Sequence, residues 1–212
     1  MSRTILAWKL NFSAYISGGL CMGKKVIVIY SSARKKGFSA LAADYAASQL
    51  EANGTDVKKY YLQDMNFNGC IGCFDCRRKE GCVQKDDMNE LFDEIISSDL
   101  IIFSSPIYNF DVNSNYKKMF ERLYPMLAGG MALGEGMQKY TYRYPRKNCM
   151  LILAAGGPFV MVHKTKKRTE SNLKFNGFHN LGTVVIDNTY TRKEKTLTEK
   201  EKKSVDKIIN KI

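Results

Sequence analysis

The chain has 212 residues, 44% apolar and 25% charged, with a formal charge of +12; it is long enough for one buried core and is neither disordered nor fibrous in composition. No apolar run approaches the about 20 residues that a membrane-spanning helix needs, so a cytoplasmic protein with no membrane partner is expected. The excess charge is lopsided, with 17 Lys and Arg against 6 Asp and Glu in residues 139–212, but no zinc finger, RNA-recognition signature or basic zipper accompanies it, and nucleic acid is not the expected partner.

Residues 1–21 have a basic start and some apolar character, yet Lys9 and Asn11 interrupt it and no small-x-small cleavage site follows. Met22-Gly23-Lys24-Lys25 leads straight into an apolar run. Residues 1–21 are therefore expected to be an extension outside the fold, with translation beginning at Met22 and residues 22–212 forming a single domain.

Val26–Tyr30 (VIVIY) reads as a strand buried on both faces. A helix follows over 38–52, with Leu41, Tyr45, Ala46 and Leu50 at helical spacing and Asn53-Gly54 as its stop. Val57–Leu62 is the second strand. Asp86-Asp87 are expected to cap a helix over 87–97 that buries Met88, Leu91, Phe92, Ile95 and Ile96. Leu100–Phe103 is the third strand, ending in a loop Ser104-Ser105-Pro106-Ile107-Tyr108, and helical pattern resumes over 114–127. An irregular connection over 128–147 precedes a fourth strand, Met150–Ala154, and a fifth, Thr183–Ile186. A charged helix over 197–211 turns Leu197, Val205, Ile208 and Ile209 inward. Strands alternating with helices imply an α/β fold with a doubly wound parallel sheet.

In such a sheet, ligands sit outside the carboxyl ends of the strands, where the strand order reverses. The first loop there, Ser31 to Ser39 (SSARKKGFS), opens into a helix whose amides and dipole attract anions. Ser32 and Ser39 offer hydroxyls, Arg34 offers charge and Gly37 allows a tight turn, so the loop reads as a phosphate cradle; a solvated basic turn is the plainer alternative. It is neither a Walker loop nor a GxGxxG fingerprint. The loop from Ser105 through Pro106, Ile107, Tyr108 and Asn109 to Phe110 could wall a planar cofactor, and Gly156 and Gly157 after the fourth strand permit close backbone approach.

Four of the six cysteines, Cys70, Cys73, Cys76 and Cys82, lie within thirteen residues. Such crowding reads as metal ligation or redox work in a reducing compartment rather than as a disulfide scaffold. Cys21 and Cys149 stand apart. His163 and His179, the only histidines, have no partner at catalytic or ligand spacing and are expected to be structural. No nucleophilic triad or carboxylate pair stands out, which fits a protein whose cofactor carries the chemistry.

As an ordered set these motifs resemble the NADPH-dependent FMN reductases and, among them, the iron-sulfur flavoproteins. The GSPRxxGNS-like phosphate loop of that family is matched by SSARKKGFS, its GCxGCxxC and following Cys and DDM by Gly69 to Cys76, Cys82 and Asp86 to Met88, its SPxY by Ser105 to Tyr108, and its K-x3-DR by Lys117 with Glu121-Arg122. Departures are Ala33 for proline, Phe38 for a polar residue, Asn113-Ser114 for SG and Glu121 for Asp.

The resemblance covers about residues 24–124. It implies a flavodoxin-like five-stranded sheet of order 2-1-3-4-5, FMN held by Ser32, Arg34, Gly37 and Ser39 at its phosphate and by Pro106, Ile107, Tyr108 and Asn109 at its ring, and NAD(P)H as reductant; Gly156 and Gly157 join the cofactor site from their loop alone, since beyond residue 124 the resemblance is only architectural. It also implies a homodimer or tetramer. For the cysteines, a [4Fe-4S] cluster, structural zinc and reduced cysteines left as a family relic remain three open readings. A cluster-bearing protein would pass electrons onward, an acidic redox protein such as ferredoxin suiting the basic surface. A flavodoxin-like electron carrier without enzymatic activity and a redox or metal sensor on the same fold are the competing functions.

Overall fold

A computed structural model describes residues 23–127 and 142–212. The expected N-terminal extension, Cys21 and most of the irregular connection over 128–147 fall outside the described residues.

The sheet is built from β1 (Lys25–Tyr30), β2 (Asp56–Tyr61), β3 (Leu100–Tyr108), β4 (Asp111–Val112), β5 (Lys147–Ala154) and β6 (Phe178–Ile186). Its order is β2-β1-β3-β5-β6, all parallel, with the two-residue β4 paired antiparallel to the end of β3. The five long strands thus take the expected flavodoxin-like order, and β4 is an addition. The helices are α1 (Phe38–Ala52), α2 (Met88–Ser97), α3 (Ser114–Glu121), α4 (Phe159–Phe175) and α5 (Glu199–Ile209).

The winding places α1 and α5 over one face and α2, α3 and the end of α4 over the other, as the two core clusters show. One contains Val26, Val28, Ala43, Ala47, Ile152 and Val205; the other contains Ile27, Ile29, Leu91, Ile95, Met119 and Leu173. Alternate residues of each central strand feed opposite clusters, so both faces of β1 are buried; a fully buried Val or Ile contributes about 1.5–3 kcal/mol. α1 is lined with alanine (Ala40, Ala42, Ala43, Ala46 and Ala47 are buried), because it is packed between the sheet and α5. Among the described residues no helix is long and apolar enough to cross a membrane.

Four expectations need correction. Ser104 to Tyr108 continues β3 instead of forming a loop; β1 ends at Tyr30 opposite Ser104, so Pro106, paired only with Ala154 of β5, leaves no ladder bond unmade toward β1. The helix expected over 114–127 stops at Glu121, and Tyr124–Leu127 is a 3-10 turn. Of the expected caps, Asp87 gives none: its side chain makes no cap bond and accepts from the Asn66 amide at 2.6 Å; Asp86 does cap α2, accepting from the Met88 amide at 3.2 Å, and it also pairs with Arg122. Finally, α4 has no counterpart in the sequence reading. Two of its four buried positions are threonine, Thr165 and Thr169, which blunts the apolar stripe that marks a helix.

Candidate flavin cleft and cysteine pocket

At the carboxyl edge of β1, the chain turns through Ser31-Ser32 into α1. The Ser32 hydroxyl accepts from the Arg34 amide at 3.0 Å and donates to the Arg34 carbonyl at 3.2 Å, and the Gly37 amide donates back to the Arg34 carbonyl at 3.0 Å. These bonds fold the loop into a cup. Gly37 is the N-cap of α1 and no side chain caps that terminus, so the first-turn amides are left for an external acceptor. A methyl group on Gly37 would stand 3.2 Å from the Arg34 carbonyl and 3.7 Å from Ser32 Oγ, inside the cup.

The opposite wall is the end of β3. Tyr108 and Asp111 pair across a two-residue turn, Asn109-Phe110, with both turn residues left-handed at φ 46° and 63°, the conformation that matches strand twist in tight hairpins. Phenylalanine there costs about 1 kcal/mol or more, and α4 holds the turn in place: Thr165 Oγ1 donates to the Phe110 carbonyl, and Arg168 pairs with Asp111 at 2.8 Å.

One cleft of about 150 Å³ joins these parts and is lined by Ser32, Arg34, Gly37, Ser39, Pro106, Ile107, Tyr108 and Gly156 together with Phe38, Ala154, Thr189, Tyr190 and Lys195. Eight residues singled out in the sequence therefore meet on one edge. Asn109, at the hairpin turn, and Gly157, one residue beyond Gly156, are not among the lining residues. The Arg34 guanidinium donates to the Tyr108 hydroxyl at 3.3 Å; this bond, first, and the hydroxyl's proximity hold the Arg34 pKa above its ordinary value.

Thr189, Tyr190 and Lys195 come from the loop after β6 and were not anticipated. That loop is fastened by Arg192, which pairs with Glu201 at 2.6 Å, donates to the Asp187 carbonyl at 2.8 Å and lies over the Phe38 ring at 5.1 Å. Tyr190 packs against Gly156 so closely that a Cβ there would meet its ring at 2.2 Å. The Gly is thus required by close approach.

Asn113, the N-cap of α3, was also missed. Its side-chain amide donates to the Ser31 carbonyl at 2.6 Å, and its Oδ1 accepts from the Ser105 hydroxyl at 3.3 Å and the Tyr116 amide at 3.2 Å. It locks the two walls together beneath the cleft.

The four cysteines line a second pocket, of about 70 Å³, with Ile71, Phe74, Val83 and Arg122 among its other walls. Cys70 and Cys73 are exposed, Cys76 and Cys82 half-buried. Burial pushes the Cys76 thiol up, and the three neighbouring cysteines add to that shift. Among the described residues no group of three or more His, Cys, Asp or Glu side chains is placed to hold a metal ion; the sulfurs share a pocket without being drawn around one point. Cations surround it: Arg143 donates to the carbonyls of Cys76 and Lys79 at 3.1 and 2.9 Å, and Arg77 lies over Phe74 at 4.6 Å. Cys149, by contrast, is fully buried on β5 with its pKa pushed up by burial, and it is inert packing. His163 Nδ1 lies 3.0 Å from the Val160 carbonyl, and neither histidine lines either pocket.

Residues 24–191 match the family described as NADPH-dependent FMN reductase. An iron-sulfur flavoprotein of Archaeoglobus fulgidus is 37% identical over 101 residues, 48% of this chain and 46% of that protein, and one of Methanocaldococcus jannaschii is 33% identical over 105 residues, 49% and 52% of the two. The matched region thus spans about half the length of these relatives. Among solved structures, an azoreductase from Bacillus anthracis superposes with a TM-score of 0.67 at 18% identity, covering 89% of this chain and all of that one. An NAD(P)H:quinone oxidoreductase from Methanothermobacter marburgensis gives 0.63 at 16%, covering 87% and 92%. At such identities the structures establish the shared fold.

Proposed function

The chain belongs to the NADPH-dependent FMN reductase family, and on that premise we propose that it is an oxidoreductase that holds FMN in the cleft between β1, β3 and the β6–α5 loop and reduces it with NADH or NADPH. The observation that carries this reading is the cup at the start of α1: an uncapped helix N-terminus, the hydroxyls of Ser32 and Ser39, and a glycine whose missing side chain leaves the space open. A phosphate monoester suits that cup because its oxygens accept from amides and hydroxyls while the dipole and Arg34 balance its charge.

Bound there, FMN would accept a hydride from the nicotinamide and release electrons to an acceptor. The chain's own residues bind and orient. Ser32, Arg34, Ser39 and the α1 amides take the phosphate, Lys195 adds a second cation at the same cleft, and Pro106, Ile107 and Tyr108 with Gly156 and Tyr190 flank the flat ring. Exposed Tyr108, Phe110, Phe159, Val160 and Met161 support a homodimer or tetramer assembled on this side.

The four cysteines support a [4Fe-4S] cluster, since short spacers let one loop supply four thiolates, with Arg122 in the pocket wall and Arg143 on the Cys76 carbonyl. The sequence relatives that carry that name add to this reading. A cluster would supply one-electron transfer to an acidic redox partner such as ferredoxin. Equilibrium titration of flavin-free protein tests the cleft: FMN binds one per chain and much more tightly than riboflavin, which lacks the phosphate, whereas equal affinity for the two would remove the cup from the account.

A further inference from the structure

The end of α3 reaches the cysteine pocket through one buried arginine. Arg122, the C-cap of α3, is only 3% exposed. It forms a forked pair with Asp86, at 2.7 and 2.9 Å, and also donates to the carbonyls of Asn68 at 2.8 Å and Gln84 at 3.5 Å. Asn68 precedes Cys70, and Gln84 and Asp86 follow Cys82, so one guanidinium grips both ends of the loop that carries all four cysteines. Gln84 reinforces the closure by donating to the Gly69 carbonyl at 3.0 Å.

The remaining donor of this group, Nε–H, is buried and has no partner. Arg122 lines the cysteine pocket and, beside it, a cavity of about 230 Å³ that it shares with Cys82. A buried N–H without an acceptor costs about 1–3 kcal/mol, and among the groups able to accept it is the Cys82 sulfur, which lines both cavities together with Arg122.

We propose that Arg122 is the positioning residue of the cysteine pocket, closing the loop over its two ends and supplying the unpartnered Nε–H to sulfur at Cys82 when the four thiolates hold a cluster. The inference rests on the cluster reading above and deepens it. Groups that orient metal ligands in this way typically change affinity by about 10–100-fold when removed, and hydrogen bonds to cluster sulfurs raise the reduction potential because they favour the more negative reduced state.

The test compares the full chain with Arg122→Lys, which keeps the charge and loses the fork, and with the double variant Arg122→Leu/Asp86→Leu, which removes both charges and avoids stranding a buried carboxylate. Each is loaded anaerobically with ferrous iron and sulfide, and three quantities are read: FMN affinity, the rate of iron loss to a chelator well below the melting temperature, and the cluster's reduction potential. The expected result is unchanged FMN affinity, iron lost about tenfold or more faster from both variants, and a lower potential. If the full chain takes up four iron atoms and the variants retain them as long at the same potential, Arg122 has no such role while the cluster reading stands. If the full chain itself takes up no iron, the cluster reading falls and this inference falls with it.

Discussion

The Arg34 guanidinium and the Tyr108 hydroxyl meet at 3.3 Å across the mouth of the cleft, tying the loop after β1 to the end of β3. Arg34 is itself exposed and Tyr108 is 43% exposed, so the contact is cheap to break, and Arg34 is free to turn toward an anion in the cup. Arg34→Ala is expected to weaken FMN binding about 10–100-fold, the equivalent of one charge-assisted bond. Tyr108→Phe leaves the affinity within about threefold, since it removes only the tether. Fluorescence titration with FMN measures both; a larger loss in Tyr108→Phe than in Arg34→Ala would reverse the roles assigned to them.

Gly37→Ala separates binding from folding. Gly37 has an ordinary φ of −82°, so alanine fits the backbone, but its methyl would crowd the Arg34 carbonyl at 3.2 Å. The melting temperature of the flavin-free protein should stay within a few degrees while FMN affinity falls several-fold. A large drop in melting temperature would mean that the glycine serves the fold and not the cup.

The Arg192–Glu201 pair should appear as an acid-sensitive term in stability. Burial alone would raise the Glu201 pKa, but Arg192 and the amide and hydroxyl of Thr198 outweigh it, and the net shift is downward. A carboxylate whose folded pKa lies below its unfolded value of about 4.3 contributes stability above that pH and loses it as pH falls through the folded pKa. Glu201→Gln should therefore be destabilising at neutral pH, and the gap to the unaltered protein should narrow progressively as pH falls below about 4.3. Chemical denaturation at several pH values measures this, and a gap that does not narrow as the pH is lowered would contradict the assignment. The same variant loosens the loop carrying Tyr190 and Lys195, so FMN affinity should fall as well.

These residues show what was legible in the sequence and what was not. The strands and the two cleft walls could be read because each rests on a local signal, an unbroken apolar run such as VIVIY or a small polar loop opening a helix, whereas the strand order came from the family resemblance. Lys195 and Tyr190 carry no local signal of their own. They reach the cleft because β6 lies beside β5 and both end on the same edge, a fact of the assembled sheet. Asn113 was seen only as a loose replacement in a motif, and its function in joining Ser31 to Ser105 needs the third dimension. α4 was hidden by Thr165 and Thr169, polar residues that occupy buried positions because their hydroxyls find backbone carbonyls at Phe110 and Thr165.

The basic surface predicts how partners respond to salt. Exposed Lys164, Lys167, Arg168 and Lys174 of α4 and Lys200, Lys203 and Lys207 of α5 belong to the region with 17 basic and 6 acidic residues. Electron delivery to an acidic redox protein should slow steeply as ionic strength rises, while delivery to a neutral quinone should not. Equal salt dependence for both acceptors would remove the surface from the account.

The most direct test of the central claim is anaerobic addition of NADH or NADPH to the FMN-loaded chain while the visible flavin absorption is followed. The account predicts that the band bleaches with one nicotinamide oxidised per flavin and returns when an acceptor is added. A flavin that stays oxidised with either nucleotide, yet bleaches with dithionite, would contradict it and leave an electron carrier in place of a reductase.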